Sequence, residues 1–155
     1  MDGPARVPRR SARRLLIGIA AAVVVLAVVF GVTTLRQQVR YREYREATLA
    51  SPPWRREALP PEACVAFAVD WAMACPGLGS WCENEAPRLV TECMQHGDRS
   101  AYCDALGDAV ASTDFGVTQC EQMRAGVDGR HLQRAHKKFC AGAVRAVAEH
   151  CRARR

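Results

Sequence analysis

Residues 64–93, CVAFAVDWAMACPGLGSWCENEAPRLVTEC, contain two stretches with helical periodicity on either side of a Pro-Gly turn. In the first stretch, apolar and cysteine side chains recur every three or four residues: Cys64, Phe67, Ala68, Trp71, Ala72 and Cys75. The second stretch repeats the pattern: Cys82, Ala86, Leu89, Val90 and Cys93. Pro76-Gly77 ends the first helix, and Ser80 with Glu83 is a capping-box pattern for the next. The sequence therefore predicts a helical hairpin.

The four cysteines of this hairpin have matched spacing. Cys64 and Cys75 are eleven residues apart, and so are Cys82 and Cys93. Eleven residues make about three helical turns, so both cysteines of each helix lie on one face, ~16 Å apart along the axis. In an antiparallel hairpin Cys75 would meet Cys82 beside the turn, and Cys64 would meet Cys93 at the open end. We therefore expect two nested disulfides, Cys64–Cys93 and Cys75–Cys82.

This nested pattern resembles the twin Cys-x9-Cys helical hairpins, the coiled-coil-helix-coiled-coil-helix proteins of the mitochondrial intermembrane space. The likeness covers residues 64–93, where the spacing is Cys-x10-Cys in both helices. The chain adds four further cysteines and a long apolar segment outside that range. Members of the family are small disulfide-stapled hairpins, mostly assembly factors, chaperones or structural subunits of respiratory complexes. The resemblance implies a non-catalytic, structural or assembly-related role.

The remaining four cysteines lie on three further predicted helices, at about 98–112, at about 114–123 with Asp114 as the N-cap, and at about 130–152. Nested pairing would join Cys120 with Cys140 and Cys103 with Cys151, although the spacings of 17 and 11 residues do not match. A domain of this size buries only a moderate core, so disulfides worth ~2–5 kcal/mol each would matter. Buried free thiols are the alternative, and they require a reducing compartment.

Residues 15–35, LLIGIAAAVVVLAVVFGVTTL, contain no charged side chain. As a helix these 21 residues span ~31 Å, close to the ~30 Å hydrocarbon core of a bilayer. The alternatives are a buried core helix, which is rarely so uniformly apolar, and a cleaved signal peptide, whose apolar region is usually ~7–15 residues long. We expect a retained membrane anchor. Five arginines in residues 1–14 favour a cytoplasmic N-terminus, and the cysteines, all after residue 60, favour an oxidising compartment for the remainder.

The predicted fold is all-α, with one N-terminal transmembrane helix and a small disulfide-stapled helical-bundle domain. The expected layout has five parts: a basic cytoplasmic stub (1–14), the transmembrane helix (15–35), a juxtamembrane helix (36–50), a Pro-rich linker (51–61) and a Cys-rich helical domain (62–155). The linker, SPPWRREALPP, has four prolines in eleven residues, which is typical of a stiff spacer.

Charge is distributed in blocks. Residues 58–129 carry three basic and eleven acidic side chains, giving −8, whereas residues 130–155 carry eight basic groups and Glu149, giving +7. The basic end suits acidic partners or anionic headgroups, and an extracytoplasmic location disfavours nucleic acid. We expect the bilayer and integral membrane proteins as partners, with no small-molecule substrate. Arg- and Ala-rich usage favours a bacterial inner membrane with a periplasmic domain; a mitochondrial inner membrane facing the intermembrane space is the alternative.

Motifs for catalysis and cofactors are missing from the sequence. There is no Cys-x-x-Cys, no Gly-rich phosphate loop and no Gly-x-Ser-x-Gly, so we expect neither an enzyme nor a bound cofactor. The main hypothesis is a structural, accessory or assembly subunit of a membrane protein complex. The alternative is a membrane-tethered thiol-redox or copper- or zinc-handling protein, with His136 and Cys140, four residues apart on one helical face, as a weak metal pair.

Overall fold

The computed structural model describes residues 9–154, and side chains from residue 13 onward. Six α-helices account for most of this range: α1 (Arg9–Ala50), α2 (Pro61–Ala74), α3 (Gly79–Gln95), α4 (Ser100–Leu106), α5 (Val117–Arg124) and α6 (Arg130–Arg152). Two 3-10 helices, Pro53–Arg55 and Gly107–Ala111, connect them, and no strand occurs within the described range. The all-α prediction is confirmed. The chain divides into two compact units, Met1–Val39 and Arg40–Arg155.

The described part of the first unit is a single helical rod, the N-terminal part of α1. Its apolar side chains are exposed along the whole segment from Leu15 to Leu35. By length and composition this helix could cross a membrane. Residues 1–8 of the expected cytoplasmic stub lie outside the described residues.

The second unit is built on α2, α3 and α6, which pack against one another around one core. The buried side chains are mostly small or β-branched, with Leu89 and Met94 the largest fully buried aliphatic residues. Alanines at Ala68, Ala86 and Ala143 are completely buried. Small side chains bring helix axes close together, but they bury little apolar area each. The core therefore gains less from the hydrophobic effect than its helical content suggests.

Four disulfides cross-link this unit. Cys64–Cys93 and Cys75–Cys82 join α2 to α3 at the two ends of the hairpin. Cys103–Cys151 joins α4 to the C-terminal end of α6, and Cys120–Cys140 joins α5 to the middle of α6. These are the four pairs of the nested arrangement that the sequence predicts. The predicted third helix, at about 98–112, ends early: α4 stops at Leu106, and the φ of 48° at Gly107 favours glycine.

The segment 40–61 belongs to the folded unit, which differs from the expected linker. Trp54 is 3% exposed, and its ring meets that of Phe67 edge to face at 5.2 Å. The guanidinium of Arg99 donates to the carbonyl oxygen of Leu59 at 2.6 Å, which fixes the end of the segment to the turn after α3. This proline-rich segment is packed on the folded unit and is not a stiff spacer, because the apolar side chains between its prolines, Trp54 and Leu59, lie against the core.

Two helix starts differ from the sequence prediction. The N-cap of α3 is Leu78, without a side-chain cap bond, so Ser80 lies inside the first turn and forms no capping box. The N-cap of α5 is Gly116, in the left-handed region (φ 75°), so α5 begins at Val117 and its N-cap lies two residues after the predicted Asp114. In both places the helix begins without a side-chain cap bond.

Candidate functional site

His136 and Cys140, which the sequence suggests as a weak metal-binding pair, are not both free to act as ligands. Cys140 is bonded to Cys120, so its sulfur is not available as a thiolate. His136 is 4% exposed, and its Nδ1 has no hydrogen-bond partner among the described residues. Burial lowers the pKa of His136, with the charge of Asp70 opposing and that of Arg124 adding to the shift. Within residues 9–154, no group of three His, Cys, Asp or Glu side chains has a metal-holding arrangement.

Thiol chemistry would require a free cysteine, and all eight cysteines, which lie within the described range, are in disulfides. Cys64–Cys93 is fully buried, and Cys103–Cys151 nearly so. Cys75 and Cys120 are partly exposed, but their partners are buried. The arrangement is that of structural cross-links inside a packed unit.

One buried charge cluster lies where α1 packs on the hairpin. Glu85, 3% exposed, accepts from Arg45 Nε at 2.7 Å and from the Tyr41 hydroxyl at 3.3 Å. Burial, together with the charge of Glu85 and the hydrogen bond to it, raises the pKa of Tyr41. Nearby, the indole N–H of Trp71 donates to Thr48 Oγ1 at 2.8 Å. These contacts satisfy buried polar groups and attach residues 41–48 to α2 and α3, which is a structural role.

An open concavity of about 390 Å³ borders these contacts, at Tyr44, Thr48 and Trp71, and two more lie beside α6. The first of these two is a groove of about 380 Å³ between α6 and the segment 110–120. Its walls are largely apolar, with Val110, Phe115 and Val144 among them, while Arg145 and Arg152 line it from α6. Gly116 closes one side so tightly that a Cβ there would overlap the side chain of Val144. The volume falls within the ~300–1,000 Å³ range of ligand clefts.

The second concavity is a basic cleft of about 150 Å³. It is lined by Arg124 of α5 and by residues from the first turns of α6: Arg130, Gln133, Arg134 and Lys137. None of its four cations lies within 4.0 Å of a carboxylate of the described residues; the ion pairs of this part of the chain involve other groups. Concentrated positive charge without an internal counter-charge suits an anionic ligand.

Both concavities border the same pair of helices. Val117 and Cys120 of α5 line the groove, and Arg124, one turn further along α5, lines the basic cleft. On α6 the order is reversed, with the cleft on residues 130–137 and the groove on residues 141–152. We call this continuous surface, from the groove to the basic cleft, the α5–α6 seam. The sequence indicates the positive charge of residues 130–155. It does not indicate the groove, because the groove depends on where the segment 107–116 packs against α6.

Comparison of this chain with protein-family models, with curated proteins and with solved structures finds no match.

Proposed function

We propose that this chain is a single-pass membrane-anchored, extracytoplasmic Cys-rich protein that acts as an accessory or assembly subunit of a membrane protein complex. The observation that carries the proposal is that α1 contributes to both units of the chain. The helix that holds the apolar segment also supplies Tyr41, Tyr44 and Leu49 to the packed unit. A domain whose own core includes the end of its membrane helix is suited to work beside the bilayer.

The character of the folded unit supports a binding role. Its polar buried groups, such as Glu85 and Arg99, are engaged in fixing one segment to another. Two of its concavities, in contrast, open on the surface beside α6; one has largely apolar walls, and the other is lined by four cations without an ion pair among the described residues. Surfaces of this composition recognise partners more readily than they perform acid–base chemistry, which needs convergent titratable groups.

The proposed location is the inner membrane of a bacterium, with the N-terminus in the cytoplasm and the folded unit in the periplasm. Four disulfides suit an oxidising compartment. The arginines before the apolar segment favour a cytoplasmic N-terminus. The inner membrane of mitochondria, with the folded unit in the intermembrane space, would satisfy the same two requirements.

Purification of the full chain from its native membrane in mild detergent tests the proposed function. We expect one integral membrane protein to co-purify in a fixed ratio, measured by quantitative mass spectrometry after reversible cross-linking. A matched control replaces residues 15–35 with a cleavable signal sequence, which releases the same folded unit. Because the anchor restricts the domain to the membrane surface, the released form should retain much less of the partner.

Two results would overturn the proposal. One is a full-length chain that purifies from the membrane without any protein in a fixed ratio. The other is a folded chain that carbonate at high pH extracts from the membrane like a peripheral protein, since a spanning helix resists such extraction.

A further inference from the structure

We infer that the α5–α6 seam is a docking surface for an acidic, amphipathic segment of a partner protein. The inference rests on the proposed function and specifies the contact surface and the chemistry of the partner. The basic cleft would take the carboxylates of that segment, and the groove would take its apolar side chains.

Charge complementarity is the first reason. The four cations of the basic cleft have no internal counter-charge within 4.0 Å among the described residues. Lys138, the next residue on α6, differs because it pairs with Glu83 of α3. Glu121 and Glu149 lie on the two helices of the seam, but neither lines the groove or the cleft. Cations held close together repel one another, and an acidic partner relieves that repulsion.

The second reason is the apolar groove next to this charge. Val117 is 45% exposed at the start of α5, and Phe115 and Val144 form walls beside it. A purely ionic ligand such as inorganic phosphate would use the cleft and leave the groove empty. A segment with both acidic and apolar side chains would use both, which is the usual composition of a protein interface.

The spacing of the basic residues gives the geometry of the partner. Arg134 and Arg145 are eleven residues apart on α6, which places them on one face, ~16 Å apart along the axis. A helical partner would meet this spacing with two acidic residues about three turns apart and apolar residues between them. Arg152, two turns beyond Arg145, extends the same face.

The seam is also held in a fixed form before any partner binds. No residue of α5, all of which is described, is fully buried, yet Cys120 is bonded to Cys140 in the middle of α6. The disulfide therefore fixes Arg124 beside α6 where packing alone would be weak. A preformed surface loses less conformational entropy when it binds.

Peptide binding by the full chain, embedded in nanodiscs of phosphatidylcholine, tests the inference. The probe is a fluorescent helical peptide with glutamates eleven residues apart and leucines between them, followed by anisotropy. The test variant is R134E/R145E, and the matched control is R42E/R55E, which reverses two exposed arginines outside the seam. We expect the test variant to bind at least about tenfold more weakly, and the control to bind within about twofold of the unmodified chain.

A second peptide, with lysine in place of each glutamate, makes the test specific for charge. It should bind R134E/R145E better than it binds the unmodified chain. Equal binding of the acidic peptide to both double variants would overturn the inference. So would displacement of the peptide by soluble short-chain phosphatidylglycerol but not by free glutamate at the same concentration, which identifies a lipid headgroup as the occupant. Concentration-dependent self-association that R134E/R145E abolishes would identify a second copy and would also overturn it.

The two proposals can fail separately. If R134E/R145E still co-purifies with the membrane protein in the same ratio, the seam is not the contact surface and the proposed function stands. If the peptide binds as expected and nothing co-purifies with the full chain, the proposed function fails.

Discussion

The α2–α3 hairpin is closed by two internal disulfides, whereas the α4–α5 segment is joined to α6 by two disulfides, one from Cys103 and one from Cys120. The hairpin buries Val65, Val69, Leu89 and Val90 against α6. In the α4–α5 segment, Cys103 and Val110 are the buried residues, and α5 has none. Both regions contact α6, the hairpin far more extensively.

The difference separates two uses of a disulfide. In the hairpin the cross-links add to a packed core that already brings the helices together. In the α4–α5 segment they reinforce a smaller apolar cluster, built around Val110 and Ala148, that holds short helices against α6. That arrangement leaves α5 largely exposed while fixing its position, which suits a surface that binds something else.

The largest expected effect comes from removing a cross-link of the hairpin. C64A/C93A opens a loop closed over 29 residues and should lower the free energy of unfolding by about 3–4 kcal/mol. C120A/C140A should lower the global value by only about 1–2 kcal/mol, because α5 can detach locally while the core persists. Urea denaturation measures both values.

Amide hydrogen exchange shows which helices lose protection in C64A/C93A and in C120A/C140A. In C120A/C140A the amides of α5 should lose protection while those of α2 and α3 keep theirs. Equal loss of protection throughout the unit in both variants would mean that the two regions do not differ in this way.

Gly116→Ala should have the next largest effect, at about 2–4 kcal/mol. The added Cβ would overlap Val144, and Ala is disfavoured at a φ of 75°. Gly126→Ala is the control, since a Cβ there has no atom within 4 Å and the glycine is not at positive φ. Thermal unfolding followed by circular dichroism compares the two. A Gly116→Ala protein as stable as the control would place the loop 112–116 away from α6.

Arg45→Met should destabilise the unit by about 2 kcal/mol, because it leaves the carboxylate of Glu85 buried without its nearest cation. The double variant Arg45→Met/Glu85→Gln should recover part of that loss, since it removes the buried charge, which Arg88 at 3.6 Å alone compensates only in part. Chemical denaturation of the Arg45→Met protein and of the double variant measures the two free energies of unfolding. No recovery in the double variant would show that Arg45 acts through packing alone.

The smallest expected effect is a pH dependence. Burial holds the pKa of His136 below its usual range, so the folded state disfavours the charged form. The contribution that the neutral, buried imidazole makes to stability is therefore present above the unfolded pKa of ~6.5. It is lost as the pH falls below that value. His150, whose pKa burial also lowers, acts in the same direction.

His136→Leu should therefore reduce the loss of stability between pH 7 and pH 5. His131→Gln, at an exposed position, serves as the control. Thermal melts across this pH range give the comparison, and an unchanged slope in His136→Leu would exclude His136 as a source of the pH dependence.

Sequence periodicity and cysteine spacing were sufficient for the hairpin, because matched intervals on adjacent helices leave one compatible nested arrangement. They also predicted α6 as a long helix from 130 to 152. They failed for the segment 51–61, because the burial of Trp54 depends on a surface that only the folded hairpin provides. They also failed for the groove, because its walls meet through the close approach of Gly116 to Val144, which no local pattern encodes.

The central claim is a domain closed by four disulfides on the extracytoplasmic side of a membrane. Alkylation with a membrane-impermeant thiol reagent, on spheroplasts or mitoplasts whose inner membrane is intact, followed by mass spectrometry, tests it most directly. We expect no labelled cysteine before reduction, and eight labelled cysteines after denaturation and reduction from the outside. Two or more labelled cysteines before reduction, or cysteines that become accessible only after the membrane is permeabilised, would contradict it.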